Sequence, residues 1–169
     1  MRCTEKLWKQ LVLFLVNCFL RGTHFFGAKW WLLNSCSGIT IGKSTRIVTP
    51  IFIPAMSQLT IGCNCWIGRN FTIEGNGAVH IGDNCDLAPS VFFLTGSHTI
   101  GDSTHRAGEG YNGEIHVGDG TWIGSRSIIV PNVSINNGNV IGAGALVIRD
   151  TRPNTLNAGV PAKEIKVLE

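Results

Sequence analysis

VGDGTWIGSRSIIVPNVSINNGNVIGAGALV, residues 117–147, carries an aliphatic side chain at every sixth position: Val117, Ile123, Ile129, Ile135, Ile141 and Val147. A spacing of six is neither the 3.6-residue repeat of a helix nor plain strand alternation carried through. The same grid runs earlier through Ile41, Ile47 and Ile53, then Ile61, Ile67 and Ile73, then Ile81, Leu87 and Phe93. Glycine follows many of these positions, as at Gly42, Gly62, Gly68, Gly82, Gly118, Gly124 and Gly142. It is expected there to serve turns whose backbone angles a Cβ would oppose. A short fixed period with glycine after the aliphatic residue predicts a parallel β-helix built from hexapeptides. Each hexad supplies one short strand and a turn, and three hexads close a triangular coil. The prediction is therefore an all-β solenoid of about five coils.

A strand alternates in, out, in, so the residue two places before each grid position also points inward. Those places hold Ile39, Thr45, Ile51, Leu59, Cys65, Phe71, Val79, Cys85, Val91, Ile115, Thr121, Ser127, Val133, Asn139 and Ala145, which suit a narrow interior. The residues between should face out, and many are polar or amphipathic, among them Thr40, Arg46, Trp66, His80, Asp86, His116 and Trp122. Phe52, Phe92, Ile128, Val140 and Leu146 break that pattern. Apolar residues pointing out of a solenoid predict a covered surface.

The grid slips by two residues between Ile53 and Ile61 and again between Ile73 and Ile81, which predicts expanded corners. Between Phe93 and Val117 it is interrupted by a Gly-rich polar excursion over about residues 97–114, holding His98, His105, Arg106 and Tyr111. A long loop on a rigid scaffold is where function is expected.

The 169 residues make one domain with short additions: an apolar helical segment over 1–36, the solenoid over 37–150, and a tail over 151–169. A net charge of +3 without a basic run gives no reason to expect nucleic acid. Charged residues make up only 15%, which points to a surface partly covered by a partner. The six cysteines lack a disulfide or zinc-finger spacing; Cys65 and Cys85 fall at inward sites of one column, and reduced thiols in the cytoplasm are expected. LWKQLVLFLVNCFL, residues 7–20, is too short for a bilayer span. Three readings stand for it: a helix packed on the first coil or a neighbouring subunit, a helix on the cytoplasmic membrane surface, or a cleaved signal. Trp30 and Trp31 add a second apolar patch.

The stretch IGDNCDLAPSVFFLTGSHTIGD (81–102) and the stretch from Thr121 to Lys166, closing on AGVPAK (158–163), resemble the hexapeptide-repeat acyltransferases. The nearest groups are the maltose/galactoside O-acetyltransferases and the acetyltransferases of capsule and exopolysaccharide gene clusters, and the similarity spans about residues 37–168. It implies a left-handed β-helix, an exception to the right-handed crossover rule. It also implies a homotrimer with acetyl-CoA between subunits, no metal, and a saccharide acceptor. His98 matches the catalytic histidine, and neutral imidazole suits a base that takes a hydroxyl proton near pH 7. Ser125 and Ala143 match backbone contacts to the pantetheine arm. Arg149 matches the second residue of a Thr-Lys pair, with Ile148 replacing the Thr. Lys163 and Lys166 match basic positions near the CoA phosphates. Trp122 matches a cleft tryptophan, or else is an outward aromatic in the trimer contact. Asp86, Asp83, Glu109 and a backbone carbonyl all stand as candidates to orient His98. Asp86, with Glu74, Asn76 and the 97–114 loop, is also expected to line the acceptor cleft.

Other activities compete. A serine-type O-acetyltransferase would use the same machinery on a small hydroxyl compound. A γ-carbonic-anhydrase-like metalloenzyme would use His80 and His116, which should stack on consecutive coils. A non-catalytic solenoid subunit would need only the coils. A cytoplasmic protein is expected, with an inner-membrane-face placement if residues 7–20 contact lipid.

Overall fold

The computed structural model describes residues 2–169. Five coils stack as a parallel β-helix with three faces. The first face carries β1 (Ile39–Ile41), β4 (Gln58–Ile61), β7 (Ala78–Ile81), β12 (Glu114–Val117) and β15 (Ser134–Ile135). The second carries β2 (Arg46–Ile47), β5 (Trp66–Ile67), β8 (Asp86–Leu87), β13 (Trp122–Ile123) and β16 (Val140–Ile141). The third carries β3 (Ile51–Phe52), β6 (Phe71–Glu74), β9 (Phe92–Leu94), β14 (Ile128–Ile129) and β17 (Leu146–Val147). The registers stack grid residue on grid residue: Ile61 pairs with Ile81, Ile81 with Val117, Leu87 with Ile123, and Ile123 with Ile141. The grid residues and the inward residues two places before them are buried together, and the apolar ones among them form one continuous cluster.

Glycine has a different reason from the one expected. Gly42 and Gly68 lie outside the left-handed region; the positive-φ corners come two residues later, at Ser44, Asn64, Asn70, Asn84, Ser90, Arg126 and Asn132. A Cβ on Gly68 would sit 2.6 Å from the carbonyl carbon of Ala88 and 2.6 Å from the nitrogen of Pro89, both backbone of the next coil. The glycines let neighbouring coils approach. Gly68→Ala is expected to cost about 3 kcal/mol as overpacking that backbone cannot relieve, a fall of roughly 6–12 °C in Tm for a chain of this length by thermal melting.

One inward column is polar. The Thr45 hydroxyl donates to the Gly62 carbonyl (2.7 Å), the Cys65 thiol to Gly82 (3.1 Å), the Cys85 thiol to Gly118 (3.3 Å), and the Thr121 hydroxyl to Asn136 (3.3 Å). Each small side chain thus ties its coil to the next at one corner, and all six cysteines are free thiols. Contact with Cys65, together with burial, pushes the Cys85 thiol well above the usual thiol range.

Two helices cover the open end, where a single helix was expected over residues 7–20: α1 (Cys3–Phe19) and α2 (Phe26–Asn34). Leu20 to Phe25, with Gly22 in the left-handed region, separates them. Lys9, which interrupts the apolar run in sequence, is fully buried and donates to the Ser57 carbonyl at 2.7 Å. Lys29 is also buried and donates to the carbonyls of Ile47 (3.0 Å) and Gly22. These ammonium groups satisfy carbonyls that no further coil is there to meet. Among the described residues no helix is long and apolar enough to cross a membrane.

Burial pushes the Lys9 ammonium below its ordinary 10.5, and Cys36 opposes the shift in part. Below the folded value both states hold the proton and the burial cost is fully present. As pH rises through that value the folded protein releases the proton first, so stability increases until the unfolded chain titrates at 10.5. Comparing melts of wild type and Lys9→Met across this window, the difference should move in favour of wild type toward the alkaline end.

The far end is closed by chain that reads as a tail. β18 (Thr155–Gly159) pairs in parallel with β16 and extends the second face, and β19 (Ala162–Val167) folds back antiparallel on it. The buried Asn139 side chain donates to the Arg152 carbonyl (2.9 Å) and accepts from Thr155 (2.8 Å) and Asn157 (2.9 Å), so polar groups finish the column. Arg152 and Glu164 form a bidentate pair across the final hairpin.

Candidate active site

The excursion after β9 is a two-stranded ribbon, β10 (Gly96–Ile100) with β11 (Ala107–Asn112), rather than an irregular loop. Its root is braced on the solenoid. Buried Thr95 donates to the Glu74 carbonyl (2.9 Å) and accepts from the Gly77 N–H (3.1 Å), while Asn112 accepts from the Asn76 N–H (2.8 Å).

His98 stands on β10 opposite Gly110, exposed to solvent. A Cβ on Gly110 would come within 3.5 Å of the imidazole, so the ring lies against bare backbone. Its Nδ1 lies 2.9 Å from the Gly108 carbonyl. A carbonyl only accepts, so in the neutral ring the proton belongs on Nδ1 and the Nε2 lone pair is left for another partner. Of the four candidates raised for orienting the ring, the Gly108 carbonyl is the one in contact. Asp86 lies on β8, between Trp66 and Trp122 on the second face. Asp83 accepts from the Cys63 N–H at 2.6 Å in a corner ladder. Sequence reading alone could not rank these, because the contact depends on where β11 folds back.

Ser125 and Ala143 occupy the same corner, between the second and third faces, on consecutive coils. The Gly144 N–H donates to the Ser125 carbonyl at 2.8 Å, and a Cβ on Gly124 would meet the Ala143 nitrogen at 2.5 Å. Trp122 leads into this corner and is 55% exposed. Arg149 follows β17 at the next corner, while Lys163 and Lys166 lie on β19, all three exposed at the C-terminal end. The His98 ribbon leaves from the corner between the third and first faces. One chain therefore sets His98 and the Ser125–Ala143 corner on different edges, with the third face between them. Four of the five outward apolar residues, Phe52, Phe92, Ile128 and Leu146, lie on that face.

His80 and His116 pair across β7 and β12 and stack with ring centroids 4.9 Å apart at 14°, as their register predicts. Glu114 lies 3.5 Å from His116. Among the described residues no group of three or more His, Cys, Asp or Glu side chains is placed to hold a metal ion.

Comparison with known proteins gives a consistent answer. The family described as bacterial transferase hexapeptide (six repeats) matches residues 114–149. Galactoside O-acetyltransferase of Escherichia coli (strain K12) is 36% identical over 127 residues, covering 75% of this chain and 63% of that protein. The chain thus spans just under two thirds of this relative's length. A galactoside acetyltransferase solved in complex with coenzyme A superposes with a TM-score of 0.76 at 29% identity, covering 98% of this chain and 82% of the other. A hexapeptide-repeat acetyltransferase of Vibrio cholerae, solved with acetyl coenzyme A, has the same fold at a TM-score of 0.78 and 22% identity, covering 98% and 88%.

Proposed function

We propose that this chain, which is similar to the hexapeptide-repeat acyltransferases, is an O-acetyltransferase that moves an acetyl group from acetyl-CoA to a hydroxyl of a saccharide. The observation that carries this reading is His98: an exposed imidazole with Nδ1 held by the Gly108 carbonyl and Nε2 free to act as base. In the proposed reaction Nε2 takes the hydroxyl proton as the oxygen attacks the thioester carbonyl. The C–S bond breaks, and the imidazolium returns the proton to the departing thiolate, so an O-acetyl ester and CoA leave. No covalent acyl-enzyme is needed.

Donor binding follows the resemblance. The Ser125 and Ala143 backbone would receive the pantetheine arm, Trp122 would line its path, and Arg149, Lys163 and Lys166 would meet the phosphates. Because His98 and the Ser125 corner lie on different edges of one chain, the site is completed by a second copy, and we assign the assembly as a homotrimer. The apolar stripe on the intervening third face supports that assignment, since it offers a contact at the right place. We place the protein in the cytoplasm, where its donor is made. The finer placement is at the inner membrane face, through the exposed residues Leu7, Leu11 and Phe14 of α1. Asp86, Glu74 and Asn76 remain the assigned acceptor-cleft residues.

The test is release of free CoA from acetyl-CoA against a panel of mono- and disaccharides. Sugar-dependent turnover is the expected result. Turnover with serine but with none of the saccharides would move the assignment to the small-molecule branch.

A further inference from the structure

A cleft of about 910 Å³ runs down the edge between the second and third faces. The same corner of successive coils lines it: Thr49 in the first coil, Arg69 in the second, Ser90 in the third, and Ser125 with Arg126 in the fourth. The linker between α1 and α2 closes its lower end with Arg21. Three arginines line this cleft without any carboxylate, and neither ion pair among the described residues involves them. Three unpaired guanidinium groups along one channel repel one another, and a bound anion removes that repulsion.

Arg126 adds a second observation. It sits at φ 60, at a corner where the other coils place Asn70 (φ 58), Ser90 (φ 62) and Gly144 (φ 69). Those are residues that tolerate the left-handed region; a long arginine there is strained, and strain of this kind clusters at ligand sites. The planar fork of arginine also suits a phosphate better than a lysine would.

Depth separates this cleft from the donor's own phosphates. Coils rise about 4.8 Å each, so Arg69 lies roughly 10 Å below Arg126 and Arg21 lies farther still. Lys163 and Lys166, the basic residues assigned to the CoA phosphates, lie beyond the last coil in the opposite direction. A donor entering from that end brings its thioester down to the Ser125 corner, and the cleft continues beyond it.

We infer that this cleft is the acceptor half of the site and that the acceptor saccharide carries a phosphate or diphosphate, gripped by Arg69 and Arg21 while its hydroxyl reaches the thioester. The inference rests on the O-acetyl-transfer reading and narrows its substrate class. Either a nucleotide-linked sugar or a prenyl-diphosphate-linked sugar would present this chemistry.

The test begins with binding. UDP and inorganic pyrophosphate are titrated calorimetrically onto the full chain already saturated with CoA, for wild type and Arg69→Gln. Binding that persists beside CoA and weakens about tenfold in Arg69→Gln is expected. An absence of binding, displacement by CoA, or equal affinity in Arg69→Gln would overturn the proposal. Turnover then separates the sources, with free galactose, galacturonic acid, UDP-galactose and a prenyl-diphosphate-linked galactose as acceptors. A kcat/KM at least tenfold higher for one diphosphate form supports the inference and names the source. Equal kcat/KM for free galactose, or a preference for galacturonic acid, overturns it while leaving acetyl transfer standing. Failure of CoA release with every acceptor would count against acetyl transfer itself.

Discussion

His98→Ala lowers kcat for acetyl transfer by about 10²–10⁴-fold, the range expected when a positioned general base is removed, and leaves the folded assembly unchanged. The reason for the loss is the single free nitrogen: Gly108 holds Nδ1 at 2.9 Å, so Nε2 alone can take the acceptor proton. The reason for the intact fold is position. His98 is exposed on a ribbon braced by Thr95 and Asn112, and its side chain is outside the buried column. The measurement is steady-state CoA release beside size-exclusion chromatography and a thermal melt. A melt or oligomeric state that moves with the activity would show the histidine to be structural. His98→Asn separates the roles further: its amide can donate to the Gly108 carbonyl but offers no base, so it should be as inactive as the alanine variant.

Ile123→Asp abolishes folding. Ile123 is fully buried on β13, stacked between Leu87 and Ile141. The substitution loses about 1.5–3 kcal/mol of apolar burial and leaves a carboxylate among aliphatic neighbours, where an unpaired charge costs far more. Against a total stability of about 5–15 kcal/mol this exceeds what the chain can absorb. The position makes it worse, because a solenoid is held by contacts between adjacent coils and a break in the fourth coil uncouples the fifth and the closing hairpin from the rest. Circular dichroism should show no cooperative transition. Trp122→Asp, one residue away but facing outward, should melt as a folded protein and serves as the control. A cooperative melt for Ile123→Asp would mean that the column is not continuous through β13.

The six-residue grid was legible because burial in a narrow triangular coil is set by local alternation. Each inward residue meets the same residue of the next coil, so periodicity alone locates both. The polar column of Thr45, Cys65, Cys85 and Thr121 was legible only as small buried residues. Its hydrogen bonds run from each side chain to a carbonyl of the following coil, and such partners are invisible in a linear pattern. The glycines were located correctly but for another reason: Gly68 is needed for the approach of Ala88 and Pro89, not for its own backbone angle.

The candidate site divides along the same line. His98 stood out through its motif, and its partner did not, because the Gly108 carbonyl reaches it only after ten residues fold back as a ribbon. Lys9 interrupts an apolar run in the sequence and, like Lys29, proves to cap the open coil, since carbonyls at the end of a stack need donors from outside it. The amino-acid order by itself determined the coil, its phase and the number of stacked layers, because those follow from neighbours six residues apart. Only the tertiary structure decided which edge each candidate residue occupies, that His98 and Ser125 are set on different edges, and that Arg21, Arg69 and Arg126 share one cleft. Those relations join residues dozens of positions apart, brought together by the winding of the chain rather than by any local pattern.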